Sequence, residues 1–178
     1  MAPGWMPTTA GIALAMLMSG VLEAHRSGES GPAIQIGERV RANDIAAASF
    51  LKEAIRRSAT IRRLVEQIQT SDVLVMVARS NDRTLRGLTQ FSSAQADRRL
   101  LITRITTFLI EDEQFAVLGH ELQHVCEIAA APEVTNQAAL RQLFERIGER
   151  TTWSGDRYET AAALAIERRV LEEVRQVR

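Results

Sequence analysis

Apolar residues recur at helical spacing in four stretches of the chain. The first stretch covers residues 45–68, directly after the helix-capping residues Asn43 and Asp44, and predicts one long amphipathic helix that ends near Thr70. The other three stretches predict helices over residues 111–128, from about 136 to 148, and from about 157 to the C-terminus. The helices thus lie on either side of a central region with a different pattern.

The central region alternates between short apolar runs and polar connections, which is typical of strands. Residues 72–78 and 100–105 are rich in β-branched and other apolar side chains, and residues 85–93 between them show a weaker alternation. We interpret residues 85–93 as an edge strand and residues 33–40 as a short extended piece. The order of elements predicts an α+β fold with a small, mostly antiparallel sheet, in a single domain over residues 32–178.

The N-terminal residues 1–22 contain no charged side chain, and residues 10–22 form an apolar run of 13 residues. This run is shorter than the roughly 20 residues that a membrane helix needs, so we expect no stable membrane span. It matches the hydrophobic region of a secretory signal, and Ala24 supplies a small residue for cleavage. We therefore expect residues 1–24 to be a signal peptide and the protein to be periplasmic or secreted. It would be cytoplasmic if the N-terminus were not cleaved.

The charge balance gives no indication of a nucleic-acid partner. Lysine plus arginine and aspartate plus glutamate both number 22, so the formal net charge is zero, and aromatic residues make up only 4% of the chain. Cys126 is the only cysteine, which excludes an intramolecular disulfide, and we expect it to be a small core side chain. Four arginines on the polar side of the first predicted helix are interpreted as a solvated face: Arg56, Arg57, Arg62 and Arg63.

The helix predicted over residues 111–128 contains a motif that suits catalysis by a metal ion. Its sequence His-Glu-Leu-Gln-His places His120 and His124 one turn apart on one face, where both imidazoles can bind a single tetrahedral Zn²⁺. Glu121 lies beside them, where it can act as general base towards the attacking water. The positions around the motif are uncharged, as expected for a helix buried under a metal. Two hydrogen-bonded histidines on a buried helix would give the same pattern.

The motif and its surroundings resemble the zincin metallopeptidases, and specifically a small bacterial member of the gluzincin type. The resemblance covers roughly residue 72 to the C-terminus, and the Glu-x-x-Ala pattern that starts at Glu159 is similar to the glutamate helix of that group. Ala162 and Ala163 stand where an acidic residue often follows the glutamate ligand. The resemblance implies a zincin-like fold, Zn²⁺ as cofactor, Glu159 as the third protein ligand on the C-terminal helix, and zinc-dependent endopeptidase activity.

Two glutamates are candidates for the third metal ligand, Glu127 and Glu159. Glu127 follows His120 by seven residues and shares its helical face, but it lies beyond His124, whereas the metal would sit between the two imidazoles. Glu159 comes from a separate helix and can offer its carboxylate from another direction, which leaves an open position for water. We favour Glu159 as the ligand and expect Glu127 to accept a hydrogen bond from a ligand imidazole or to lie on the surface.

The sequence therefore favours zinc-dependent hydrolysis of a peptide or protein substrate, with no nucleic acid as partner. One alternative is a catalytically inactive zincin-like binding module of the cell envelope. Another is a small helical protein that binds nucleic acid or a membrane surface through its arginines. We expect an extended substrate to pair with the edge strand over residues 85–93. Only 154 residues follow Ala24, which leaves little room for a second lobe, so we expect an open site or help from a homo-oligomer partner.

Overall fold

The computed structural model describes residues 33–150 and 158–176, and these residues form an α+β fold. The helices are α1 (Ile45–Arg57), α2 (Ala59–Gln69), α3 (Glu111–Ala129), α4 (Gln137–Ile147) and α5 (Ala161–Gln176). The strands are β1 (Ile34–Gln35), β2 (Val40–Ala42), β3 (Val73–Ser80), β4 (Gly87–Gln95), β5 (Arg98–Thr106), β6 (Glu149–Arg150) and β7 (Tyr158–Glu159). The signal peptide predicted over residues 1–24 lies outside the described residues.

Five of the strands form one mixed sheet in the order β1-β2-β3-β5-β4. β1 with β2 and β4 with β5 are antiparallel pairs, whereas β3 runs parallel to both β2 and β5. The prediction of a mostly antiparallel sheet was therefore wrong. After β3 the chain crosses to the far edge to form β4, and the β4–β5 hairpin then places β5 beside β3. The interpretation of residues 85–93 as an edge strand is confirmed, because β4 pairs on one side only within this sheet.

The long helix predicted over residues 45–70 is two helices, because the chain breaks at Ser58. Ser58 has an extended backbone (φ −125°, ψ 119°), and its amide donates to the Ala54 carbonyl at the end of α1. Its hydroxyl oxygen accepts from the Ile61 amide at the start of α2 and also donates to Glu173 of α5, 2.5 Å away. One residue thus caps two helices. The apolar residues keep helical spacing on both sides of Ser58, which is why the sequence pattern does not show the break.

Arg57, at the end of α1, is not part of a solvated face as predicted. Its side chain is only 8% exposed, and its guanidinium lies 3.0 Å from the buried carboxylate of Asp112 on α3. It also donates to the Val174 carbonyl of α5. Arg57 therefore connects three helices, whereas the neighbouring Arg56 is exposed and pairs with Glu53 of its own helix.

The remaining helices begin and end close to their predicted limits, with one exception. α3 and α4 match the prediction, but α5 begins at Ala161 rather than near residue 157. Tyr158 and Glu159 instead form β7, which pairs with residues 149–150 of β6. Glu159 therefore lies two residues before the C-terminal helix and not on it, which corrects the glutamate-bearing helix that the sequence predicted.

α3 is the central element of the fold and is buried along most of its length. It packs against α2 and α5 and against strands β3, β4 and β5. Gly119 allows α5 to approach closely, because a Cβ at this position would lie 2.7 Å from Cγ2 of Val170. The main cluster of buried apolar side chains includes residues from α1 to α5. Across residues 33–150 and 158–176, no helix has the length and apolar character needed to cross a membrane.

Candidate metal centre

α3 presents the two histidines of the His-Glu-Leu-Gln-His motif on a buried face. One helical turn separates His120 from His124, and their rings meet edge to face with 4.7 Å between centroids. Their Nε2 atoms are 3.0 Å apart, and the side chains are only 7% and 9% exposed. The ring of Phe144 on α4 packs against His124, with 4.8 Å between centroids, and so restricts rotation of that imidazole.

The carboxylate of Glu159 joins the two histidines from a separate element, β7. Its Oε2 lies 2.6 Å from Nε2 of His120 and 3.8 Å from Nε2 of His124, and among residues 33–150 and 158–176 no donor in hydrogen-bond geometry satisfies this buried oxygen. Ligand atoms of a tetrahedral zinc site with ~2.1 Å bonds are roughly 3.4 Å apart. The three atoms all lie within 4.8 Å of one another, so their spacing fits such a site.

A carboxylate lies beside the other nitrogen of each histidine ring. Oε2 of Glu127 is 2.8 Å from Nδ1 of His124, and Oε2 of Glu167 on α5 is 3.1 Å from Nδ1 of His120. Such a partner favours the tautomer with its proton on Nδ1 and leaves the Nε2 lone pair free. In that tautomer two Nε2 lone pairs and the Glu159 carboxylate face one another, so that a shared cation, either a proton or a metal ion, would satisfy all three groups. This arrangement fits a bound cation.

Glu127 also holds the chain segment that carries Glu159. Its Oε1 accepts a 2.7 Å hydrogen bond from Oγ1 of Thr160, the residue that follows Glu159. Oγ1 of Thr160 accepts in turn from the Ala163 amide and caps the start of α5. Glu127, the other candidate for the third ligand, lies on the Nδ1 side of His124, away from the point where the Nε2 atoms converge. Its position suits orientation of the ring.

The charges at the site favour positive charge between the carboxylates. Burial alone would lower the pKa of His120, but Glu159 and Glu167 outweigh it and raise this pKa to about 10. Burial acts to raise the pKa of Glu159, but the two histidines outweigh it and lower this pKa to about 2. Carboxylates that stabilise an extra proton on a buried imidazole in this way would also stabilise a divalent cation at the same place.

Glu121, the expected general base, is buried next to the histidines. Burial is the largest influence on its carboxyl group and raises its pKa, against the opposing effect of His124 and His120. Oγ1 of Thr89 on β4 donates a 2.7 Å hydrogen bond to Oε2 of Glu121. A raised pKa suits a group that accepts a proton and later returns it, because the free-energy cost of each of the two proton transfers is then small.

A cleft of about 580 Å³ lies over these residues. Its floor is the histidine motif of α3, one wall is the edge strand β4, and the opposite wall is α4, which contributes Leu140 and Phe144. Tyr158 also lines the cleft, where its hydroxyl donates to Glu145 at 3.3 Å. The cleft therefore combines an apolar wall with the polar groups of the candidate metal centre.

The register of β4 determines which of its backbone groups face this cleft. The Thr106 amide donates to the Arg86 carbonyl across the β4–β5 pair. In an antiparallel pair every second residue forms backbone hydrogen bonds to the partner strand, so the backbone groups of Leu88 and Gln90 also bond to β5. The backbone N–H and C=O groups of residues 87, 89 and 91 therefore point outward, away from β5 and towards the open edge of the sheet.

One of these outward positions is already occupied. The Phe91 amide donates to Oε1 of Gln137, the first residue of α4, at 3.1 Å. The register of β4 also shifts between Phe91 and Ser93, as in a bulge. Gly87 and Thr89, which line the cleft, are the outward positions that an extended ligand can reach.

Two side chains that contact the motif, Thr89 and Glu167, were not predicted from the sequence. Glu167 lies between the buried residues Ala163 and Val170 on α5. An acidic residue within an apolar stripe was therefore a signal that the sequence contained. Thr89 has no comparable signal, because its contact with Glu121 depends on where the edge strand lies in the sheet.

Cys126 lies away from the candidate metal centre. Its Sγ is 3.9 Å from the Leu64 carbonyl of α2, and burial raises the pKa of the thiol to about 12. A protonated thiol in such surroundings behaves as a small core side chain, as expected.

Comparison with protein-family models, with curated proteins and with solved structures finds no match for this chain. The function is therefore inferred from the geometry and chemistry of the candidate metal centre alone.

Proposed function

We propose that the protein is a zinc-dependent peptidase with a zincin-like site. The observation that carries this proposal is the convergence of three ligand atoms, from His120, His124 and Glu159, beneath a cleft and next to a buried glutamate. Two imidazole nitrogens and one carboxylate oxygen form a ligand set that hydrolytic zinc enzymes use, with one coordination position left open.

The neighbouring side chains have distinct tasks in this proposal. Zn²⁺ bound by the three ligands would lower the pKa of water to about 7 and polarise the scissile carbonyl. Glu121 would accept the proton of the attacking water and pass it to the leaving amine. Glu127 would keep the imidazole of His124 oriented by accepting its Nδ1 proton, and Glu167, 3.1 Å from Nδ1 of His120, would act on the other imidazole through its charge.

The shape of the cleft supports a peptide as the substrate. The outward backbone groups of Gly87 and Thr89 can pair with an extended chain, which provides affinity with little side-chain selectivity. Leu140 and Phe144 on the opposite wall offer apolar surface to a substrate side chain. A peptide, or a protein with an unfolded segment, meets both requirements.

Metal analysis of the purified protein tests the first half of the proposal. We expect mass spectrometry to find one zinc ion per chain in the wild type and a large loss of zinc in His120→Ala. A wild-type protein that binds no zinc, or an unchanged zinc content in His120→Ala, would contradict the assignment of the metal centre.

Turnover of unfolded casein by the zinc-loaded protein tests the second half. Glu121→Gln is the matched variant, since it keeps the shape of the side chain but cannot act as a base. We expect it to retain zinc and to lose activity by roughly 10²- to 10⁴-fold, the usual contribution of a general base. Full activity in Glu121→Gln would contradict its role. Zinc binding without any cleavage in the wild type would favour the inactive zincin-like binding module.

We also propose a periplasmic or secreted location, because residues 1–24 match a cleavable signal. N-terminal sequencing of the expressed protein tests this proposal. We expect the mature chain to begin near His25, and intact Met1 in a soluble cytosolic fraction would contradict export.

A further inference from the structure

The edge strand β4 contacts the Glu121 carboxylate at both of its oxygens. Oγ1 of Thr89 donates to Oε2 at 2.7 Å. Oε1 lies over Gly87, where a Cβ would come within 2.5 Å of it. The strand therefore holds one carboxylate oxygen by a hydrogen bond and passes beneath the other without a side chain to cover it.

A second threonine determines the direction of this hydrogen bond. Thr103 on β5 is fully buried, is paired with Thr89 across the ladder, and has its Oγ1 2.9 Å from Oγ1 of Thr89. An ionised carboxylate only accepts, so the single hydroxyl proton of Thr89 goes to Glu121. Thr103 consequently donates to Thr89. The three side chains form a hydrogen-bonded chain that begins in the sheet and ends at the carboxylate.

We propose that Thr89 is a positioning residue for Glu121 and that it couples substrate binding on β4 to the orientation of the general base. With Oε2 occupied by Thr89, Oε1 is the oxygen left to exchange protons with the reacting atoms. The backbone of Thr89 faces the cleft, so the strand that pairs with the substrate also orients the base. The kinetic consequences rest on the proposed peptidase function, whereas the hydrogen bonds do not.

Substitutions of Thr89 separate its hydroxyl from the rest of the side chain. Thr89→Val keeps the β-branched shape, and Thr89→Ser keeps the hydroxyl. With the zinc-loaded full-length protein and casein, we expect Thr89→Val to lower kcat about tenfold with KM within about twofold, and Thr89→Ser to recover most of kcat. Gln95→Ala, at the exposed end of the same strand and outside residues 85–93, is the control and should match the wild type.

The coupling between Thr89 and Glu121 is tested in a double variant. If Thr89 acts through Glu121, Thr89→Val should cause no further loss of kcat in the Glu121→Gln background. An additive loss in the double variant would show that Thr89 acts on another step and would overturn the proposal.

Carbon-13 NMR of glutamate labelled at Cδ gives a readout that does not depend on turnover. The signal of Glu121 is the one that disappears in Glu121→Gln. We expect Thr89→Val to shift this signal, Thr103→Val to shift it less, and Thr89→Ser to leave it in place, with zinc content unchanged in all three. An unshifted signal in Thr89→Val would overturn the proposal. If the wild type cleaves no substrate, the peptidase function fails while the NMR result still decides the role of Thr89.

Discussion

Glu127 and Glu159 lie on opposite sides of His124. Oε2 of Glu127 is 2.8 Å from Nδ1 of this ring, whereas Oε2 of Glu159 is 3.8 Å from its Nε2 and 2.6 Å from Nε2 of His120. Only a group on the Nε2 side can share a cation with both imidazoles. The two glutamates should therefore affect metal binding to different degrees.

Alanine substitutions at these two positions should weaken zinc binding in a fixed order. Glu127→Ala removes the partner that orients the imidazole of His124. The dissociation constant for zinc should then rise roughly 10- to 100-fold. Glu159→Ala removes a proposed ligand itself and should raise the dissociation constant well beyond that range. Competition with a zinc-binding dye measures both, and Glu66→Ala, an exposed position on α2, is the control. The reverse order would assign the third ligand to Glu127.

At the scale of the elements, the junction of α1 and α2 is held by a side chain from α5. Glu173 accepts hydrogen bonds from the Ser58 hydroxyl and from the amide and hydroxyl of Thr60, at 2.5, 3.1 and 2.7 Å. Burial is the largest single influence and acts to raise the pKa of Glu173, but the hydrogen bonds together outweigh it and lower this pKa. The folded protein therefore stabilises the ionised carboxylate.

This stabilisation by Glu173 should depend on pH. A folded-state pKa below the unfolded value of about 4.3 means that the contribution is complete above about pH 4.3 and is lost as the pH falls through the folded-state pKa. In urea unfolding, we expect Glu173→Gln to be less stable than the wild type by about 1 kcal/mol at neutral pH, with a smaller difference in acid. Glu172→Gln, at an exposed neighbouring position, is the control. A difference that stays constant with pH would contradict this role.

α4 covers one end of the β4 edge, and removal of the Gln137 side chain should uncover it. In Gln137→Ala the Phe91 amide loses its acceptor, so we expect its hydrogen exchange to accelerate roughly fivefold, in line with the loss of one hydrogen bond. Longer peptide substrates should then bind more tightly, with a lower KM. Arg146→Ala, on the exposed side of α4, is the control. Unchanged exchange in Gln137→Ala would show that α4 does not hold this edge.

At the scale of the whole molecule, the features that could be predicted from the sequence are those set by local periodicity. The α+β class is confirmed, and α3, α4 and strands β3 to β5 lie close to the predicted ranges. The relation between His120 and His124 could also be predicted, because spacing by four residues places two side chains on one face of any helix. Each of these features is determined within a single element.

The features that could not be predicted depend on contacts between distant parts of the chain. Apolar alternation is the same whichever neighbour a strand has, so it does not reveal that β5 lies between β3 and β4. The break at Ser58 involves Glu173, which is 115 residues away. Glu159 lies in a strand of only two residues, and the bond from Thr160 to Glu127 holds this segment against α3.

The candidate metal centre connects distant parts of the chain in the same way, so zinc bound there should stabilise the whole fold. His120 and His124 lie on the central helix, and Glu159 lies two residues before α5. An ion that binds only the folded state, at 100 times its dissociation constant, adds roughly 2.7 kcal/mol to the free energy of unfolding. For a domain of this size, that gain corresponds to a rise in Tm of roughly 5–10 °C.

Thermal unfolding with a chelator and with added zinc measures this effect. We expect zinc to raise the Tm of the wild type and of Glu121→Gln, since Glu121 is not a ligand, and to have little effect on Glu159→Ala. Calcium and magnesium should raise Tm much less, because they prefer sites made of oxygen ligands. An equal rise in the wild type and in Glu159→Ala would place the ion elsewhere on the protein. The link between α3 and the segment before α5 is therefore tested without any assumption about the reaction.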